Sequence, residues 1–326
     1  MKPTIIDCDP GIDDAIAILL AFASPELDVR AITTVAGNTT VERTTANAHR
    51  LLHLIGRTDV PVGRGASQPL VRAAGAPIDD IHGTDGLGDA GIPPAPEPET
   101  QRDAIQLIIE TVESSPEPVT LIAVGPLTNI ALLHAVRPDI VDRLERIVIM
   151  GGAAKGGNVA PTAEYNIWFD PEAAQRVFGL DVDIVMVGLD VTQKAITRPI
   201  HWAELEKGGL ASQQILAMNA FYSAYHASRG GEELTMQHDA LAVAAAIRPD
   251  LVTVVPARVN VECASPLTVG TTVVDVANPR EGGRVRVALD VEVEEFNEFL
   301  VSRIARFLSE VDARTGKFLA GVSAAS

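Results

Sequence analysis

Cysteine is almost missing: Cys8 and Cys263 are the only two in 326 residues. That excludes a disulfide framework as the basis of the fold. Basic residues are outnumbered, 26 against 43 acidic, for a net charge of -17. A chain without surplus Lys and Arg is a poor partner for a phosphate backbone, so no nucleic-acid partner is expected. The balance suits neutral small molecules or cations. No run approaches the roughly 18 uninterrupted apolar residues of a membrane span, so no membrane partner is expected either. The opening Met1-Lys2-Pro3-Thr4 lacks the apolar region and cleavage site of a signal peptide, and the expected location is the cytoplasm. There is no internal repeat. The Pro-rich stretch Ile92–Glu99 is too short to separate domains, so residues 1–326 are read as one domain. With 47% hydrophobic residues the chain can bury a large core.

What is present is an alternation. Short β-branched runs at Thr4–Ile6, Val29–Val35, Val119–Val124, Ile147–Met150 and Asp183–Val187 read as buried parallel strands. Between them Asp13–Ala23, Val41–Ile55, Arg102–Val112, Leu127–Val136 and Glu172–Phe178 read as helices. The fold class is therefore α/β, an open and mostly parallel (Rossmann-like) sheet flanked by helices. The C-terminal half is more helical, with helices expected at Trp202–Leu205, Ser212–Ala227 and Asp239–Ile247. Alternating strands follow over 251–291, then a closing helix at Val293–Leu308.

The most informative segment is Asp7-Cys8-Asp9-Pro10-Gly11-Ile12-Asp13-Asp14. Four carboxylates fall between a strand end and a helix start, with Pro10 and Gly11 making the turn. Asp13 and Asp14 open a helix, where the dipole favours anions, and Asp7 alone reads as a buried capping residue. Those roles account for one or two acids but not four. Like charges this close repel, and some stay protonated unless a cation neutralises them. A hard divalent cation on oxygen ligands is the simplest answer. An EF-hand loop is excluded because its twelfth position is Ile18. An aspartyl-phosphate phosphatase also begins with two Asp one residue apart, but Gly11 stands where that family carries Thr or Val.

Asp7-Cys8-Asp9-Pro10-Gly11-Ile12-Asp13-Asp14-Ala15 closely resembles the N-terminal signature of the inosine–uridine-preferring nucleoside hydrolase family. Further motifs recur in that family's order. They are Val35-Ala36-Gly37-Asn38, Ile81-His82-Gly83-Thr84-Asp85-Gly86-Leu87-Gly88, Val124-Gly125-Pro126-Leu127-Thr128-Asn129, Met150-Gly151-Gly152 and His238-Asp239-Ala240-Leu241-Ala242. The run Gly157–Asn166, ending Ala163-Glu164-Tyr165-Asn166, precedes a helix opened by Asp170-Pro171-Glu172. The resemblance spans nearly the whole chain.

It implies calcium-dependent hydrolysis of ribonucleosides to ribose and free base. Calcium would be held by Asp9, Asp14, Asp239 and the backbone carbonyl of Val124. Asp9 would be the general base for a calcium-activated water, and His238 the acid that protonates the leaving base. Ribose would lie against Asp13, Asn38, Asn158, Glu164 and Asn166, with Met150 beneath the sugar. Taken alone, Asn38 and Asn158 read as turn residues beside Gly, and Met150 as core. His82, in a glycine-rich segment that reads as a mobile lid, would meet the base on closure. Tyr165 supplies an aromatic wall. Tyr222, Tyr225 and His226 lie where the family places a base-contacting aromatic, and spacing does not choose among them. His49, His53, His134, His201 and Cys8 read as structural. A homo-dimer or homo-tetramer is implied. A pyrimidine-only ribohydrolase and a calcium-dependent ribonucleoside-binding protein without catalysis are the alternatives.

Overall fold

A computed structural model describes residues 1–96, 101–279 and 284–324. The end of the expected Ile92–Glu99 connection therefore lies outside the described residues. The central β-branched runs, at Lys2–Cys8, Val119–Ala123 and Ile184–Val187, form strands that are buried on both faces of a sheet, and shorter, more exposed strands extend the set. In chain order they are β1 Lys2–Cys8, β2 Leu27–Thr34, β3 Val62–Arg64, β4 Arg102–Asp103, β5 Val119–Ala123, β6 Leu144–Met150 and β7 Ile184–Val187. After them come β8 Ile196–Thr197, β9 Thr235–Met236, β10 Val252–Pro256, β11 Arg258–Val261, β12 Thr272–Asp275 and β13 Val285–Val291. Nine make one sheet in the order β10-β13-β7-β6-β5-β1-β2-β3-β4, parallel except for the antiparallel β10–β13 edge. The pairs β8–β9 and β11–β12 are separate antiparallel ribbons.

Side chains alternate across β1: Ile6 and Cys8 join the core on one face and Ile5 the core on the other. The first core is covered by helices Ile12–Phe22, Val41–Leu54, Leu210–Ser228, His238–Ile247 and Val293–Ala324, the second by Ala104–Ser114, Thr128–Val136 and Pro171–Val177. Among the described residues no helix is long and apolar enough to cross a membrane.

Three expectations need correction. Arg102 and Asp103 are strand β4, not helix, because the Asp103 carboxylate accepts from Gln106 N–H at 2.9 Å and starts the helix at Ala104, two residues later than expected. Trp202–Leu205 lies in a longer 3-10 helix, Pro199–Lys207. The closing helix runs on to Ala324.

The topology fixes where a ligand can sit. From β1 the chain moves outward through β2, β3 and β4, then returns to β5 on the other side of β1. The carboxyl ends of β1 and β5 therefore flank the switch point at which open α/β sheets bind ligands. The acidic segment leaves β1 there, and Val124-Gly125 leaves β5 beside it. Helix His238–Ile247, almost wholly buried against helix Ile12–Phe22, brings Asp239 to the same place.

Candidate active site

Asp7 lies one residue before the end of β1, inside the protein. Its Oδ1 accepts from Thr33 Oγ1 at 2.5 Å and from Asn129 Nδ2 at 2.7 Å. The same Nδ2 donates to Thr34 O at 3.0 Å, and Asn129 Oδ1 accepts from Ala66 N–H at 2.9 Å. Asn129 thus ties three strand-end segments together, a role the sequence reading did not assign. The chain then turns at Pro10-Gly11, and Asp14 reaches back to accept from Asp9 N–H at 3.1 Å and Gly11 N–H at 2.9 Å. That closes the first turn of helix Ile12–Phe22.

Asp9 points between two backbones. A Cβ on Gly37 would lie 2.1 Å from Asp9 Oδ2, and one on Gly125 2.5 Å from Oδ1. The two motif glycines are therefore what lets the carboxylate fit. Asn38 fixes it: the backbone N–H donates to Asp9 Oδ2 at 2.6 Å, and Nδ2 donates to Asp14 Oδ2 at 3.0 Å.

Ligand atoms of Asp13, Asp14 and Asp239 lie within 4.8 Å of one another. Asp13, expected on ribose, therefore stands among the potential metal ligands as well. Burial raises Asp14 to about 7, with repulsion from Asp13 adding to it. Burial first and Asp14 second push Asp9 well above the carboxylate range, and burial then Asp13 does the same to Asp239. Asp9 Oδ1 and Asp13 Oδ1 are buried without a hydrogen-bond partner among the described residues. Acceptors left bare, repelling carboxylates and an all-oxygen donor set fit a hard divalent cation.

Above this floor opens a cavity of about 400 Å³. Asp13, Asn38, His82, Val124, Met150, Asn158, Glu164, Tyr165, Asn166, Tyr222, Tyr225, His238 and Asp239 all line it. Asp9 and Asp14 lie beneath, through contact with Asn38. Glu164 is spent largely on structure: it accepts from the N–H groups of Asn166 at 3.0 Å, Ile167 at 3.2 Å and Gly152 at 3.0 Å. It caps a short helix, Tyr165–Phe169, where the sequence suggested a loop. Burial nevertheless raises its carboxyl to about 7. Asn166 Nδ2 donates to Val124 O at 2.7 Å and Met150 O at 3.1 Å, joining the ends of β5 and β6. Tyr165 Oη donates to Gly37 O at 2.8 Å. Asn158 is exposed at the rim.

The opposite wall is aromatic. The Tyr222 ring lies 4.9 Å from His226, and Tyr225 lies 5.5 Å from it edge-on. His226 lines the cavity with the two tyrosines, so all three positions face it. Ile78, Ile81, Val159, Gln193 and Met236 also line it and were missed. Nothing in their types or spacing separates them from ordinary core or surface.

His82 is buried, and its Nδ1 accepts from Ile12 N–H at 3.1 Å. Burial holds its pKa below the usual value. The segment expected to be a mobile lid is a packed wall here. Gly88 N–H bonds His82 O at 2.7 Å, Asn47 Nδ2 bonds Asp85 O at 2.9 Å, and Leu87 is fully buried. His238 opens its helix and makes a hydrogen bond between Nδ1 and Thr192 Oγ1 at 2.8 Å. Burial lowers its pKa, and Asp13 opposes that shift.

Known proteins resemble this chain in sequence and fold. Residues 4–298 match the inosine-uridine preferring nucleoside hydrolase family. The chain is 42% identical over 316 residues to a pyrimidine-specific ribonucleoside hydrolase (RihA) of Citrobacter koseri, spanning 94% of this chain and 99% of that one. It is 43% identical over 307 residues to a non-specific ribonucleoside hydrolase (RihC) of Klebsiella pneumoniae subsp. pneumoniae, spanning 93% and 98%. A purine-preferring ribonucleoside hydrolase from Gardnerella vaginalis has the same fold, with a TM-score of 0.88 at 33% identity over 94% of this chain and 99% of that one. The chain therefore belongs to the inosine-uridine preferring nucleoside hydrolase family and is an N-ribohydrolase.

Proposed function

We propose that this enzyme hydrolyses ribonucleosides of the uridine and inosine class with calcium held by Asp9, Asp14, Asp239 and the Val124 carbonyl, with Asp13 beside Asp14 and Asp239. The observation that carries the reading is the convergence of Asp13, Asp14 and Asp239 within 4.8 Å at the floor of the cavity. When bound, the cation supplies the positive charge that lets these carboxylates ionise together, and it acidifies a neighbouring water.

The side chains do the rest. Asp9 takes the proton of the attacking water; its Oδ2 is fixed by Asn38 and its Oδ1 is bare. Asp13 and Asn38 grip the ribose hydroxyls, Asn158, Glu164 and Asn166 complete the polar ring, and Met150 packs beneath the sugar. The anionic floor favours the positive charge that grows on the ribosyl ring as the bond breaks. Calcium is a mild Lewis acid, so positioning would be its larger contribution. The base sits between His82, Tyr165, Tyr222, Tyr225 and His226. His238 donates a proton to it as the C1′–N bonding pair departs with the base.

The relatives named above are pyrimidine-specific, non-specific and purine-preferring, so both base classes are assigned. The pyrimidine-specific relative at 42% identity favours a pyrimidine-only enzyme as the second reading, and turnover of inosine excludes it. A binding protein without catalysis is disfavoured by the intact Asp9, Asp13, Asp14, His238 and Asp239 set. A cytoplasmic homo-dimer or homo-tetramer is assigned from the family resemblance.

Calorimetric titration of chelator-treated protein with calcium tests the cation. About one ion per chain is expected, and Asp14→Ala should abolish binding because a carboxylate ligand is lost. Absence of a saturable calcium site in the unsubstituted protein refutes the assignment.

A further inference from the structure

His238 opens a helix and lines the cavity, and a ring attached only at Cβ can swivel. What stops it is a side chain outside the motifs that carry the chemistry. Thr192 Oγ1 lies 2.8 Å from His238 Nδ1, and Thr192 is fully buried. With Nδ1 engaged, Nε2 is the nitrogen left for the cavity that His238 lines.

Thr192 is itself rigidly placed. It closes the four-residue helix Leu189–Thr192 that leaves β7. Leu189 N–H donates to Gly152 O at 2.9 Å, and Thr192 N–H to Gly188 O at 3.1 Å. Asp190 Oδ2 accepts from Ala154 N–H at 2.6 Å. Gly152 in turn donates to Glu164 at 3.0 Å. The leaving-group side of the cavity is thereby tied to the sugar side through a few short bonds.

We propose that Thr192 is a positioning residue for His238, holding the ring so that Nε2 faces the leaving base before and after proton transfer. This rests on the reading of His238 as the acid. A hydroxyl oxygen suits the task because it accepts from Nδ1–H in either state of the ring. In the charged ring Nδ1–H donates to Oγ1 while Nε2–H faces a nitrogen of the base. The C1′–N pair moves onto the base, the Nε2 proton follows it, and the neutral ring keeps Nδ1–H on Oγ1. The same bond therefore serves both states, so the ring need not turn during the reaction. β-Branching limits Thr192 to few rotamers, which keeps the hydroxyl aimed.

The test compares the calcium-loaded unsubstituted enzyme with Thr192→Val, Thr192→Ala and Thr192→Ser on inosine, uridine and p-nitrophenyl riboside. Removing the hydroxyl should lower kcat on the two nucleosides by roughly 10- to 100-fold, part of the 10²–10⁴ a general acid contributes. KM should change little. The nitrophenyl riboside, whose leaving group needs no proton, should stay within about threefold. Thr192→Ser should recover most of the loss. Equal losses on all three substrates, or no loss on the nucleosides, overturn the proposal. If one variant fails to fold, the ratio between substrates is read from the other. His238→Ala is run beside them. If it shows the leaving-group dependence and Thr192→Val does not, only the positioning role fails. If His238→Ala lacks it too, the acid assignment itself fails.

Discussion

Removing the cation should make the protein less stable as pH rises, the opposite of what most carboxylates do. Burial holds Asp14 and Glu164 at about 7 in the folded chain without metal, against 3.8 and 4.5 as ordinary values, and raises Asp9 and Asp239 well above the carboxylate range. A carboxyl whose folded pKa is raised binds a proton in the native state that the unfolded state has released. Its stabilisation is complete below the unfolded pKa and is lost as pH rises through the folded one. His49, His82, His226 and His238 act in the opposite direction, because burial depresses them and they gain stability as pH rises through the ordinary histidine range. The decisive window is therefore pH 6.5 to 8, across which each histidine regains at most about 0.4 kcal/mol. Across it Asp14 and Glu164 each lose roughly 0.8 kcal/mol, at ~1.4 kcal/mol per pH unit, and Asp9 and Asp239 lose stability in the same direction. Because the groups are coupled and the histidines offset part of the loss, the net is a drop in Tm of a few °C for a chain this long. The assay is thermal unfolding of chelator-treated protein in buffers of matched ionic strength, repeated with saturating calcium. Calcium should abolish most of the slope, since it takes the place of the protons. A Tm without cation that is flat or rises between pH 6.5 and 8 refutes the electrostatic account of the floor.

Two further outcomes follow from the roles assigned above. His238→Ala should lose roughly 10²–10⁴-fold on inosine, measured as steady-state kcat, while p-nitrophenyl riboside is spared. Uridine should exceed 2′-deoxyuridine in kcat/KM by roughly 10⁴-fold, because Asp13 and Asn38 are left unpaired by the missing hydroxyl; agreement within about threefold means the 2′-hydroxyl is not gripped.

The sheet and the acidic floor were legible in the sequence because both write themselves locally. β-Branched runs of four to eight residues at regular spacing define buried strands, and four acids in eight residues around Pro10-Gly11 demand a counter-charge. Asp239 was legible through its motif, although only the burial of helix His238–Ile247 against helix Ile12–Phe22 brings it beside Asp14. The two-residue strand β4 was not legible, because a single capping bond from Asp103 decides where its helix begins. Nor was Glu164's use as a helix cap, which turns a proposed sugar ligand into a support as well. Thr192 carries no local signal at all. Its partner lies 46 residues away, and only the tertiary fold joins them. The aromatic wall stayed ambiguous in sequence for a different reason: Tyr222, Tyr225 and His226 share one face near a helix end, and all three reach the cavity.

The most direct test of the central claim is the release of free ribose from uridine and inosine by the purified enzyme, before chelation, after it, and after calcium is returned. The account predicts ribose from both nucleosides, loss of release on chelation, and recovery when about one calcium per chain is restored. Undiminished ribose release from thoroughly chelated protein would contradict it.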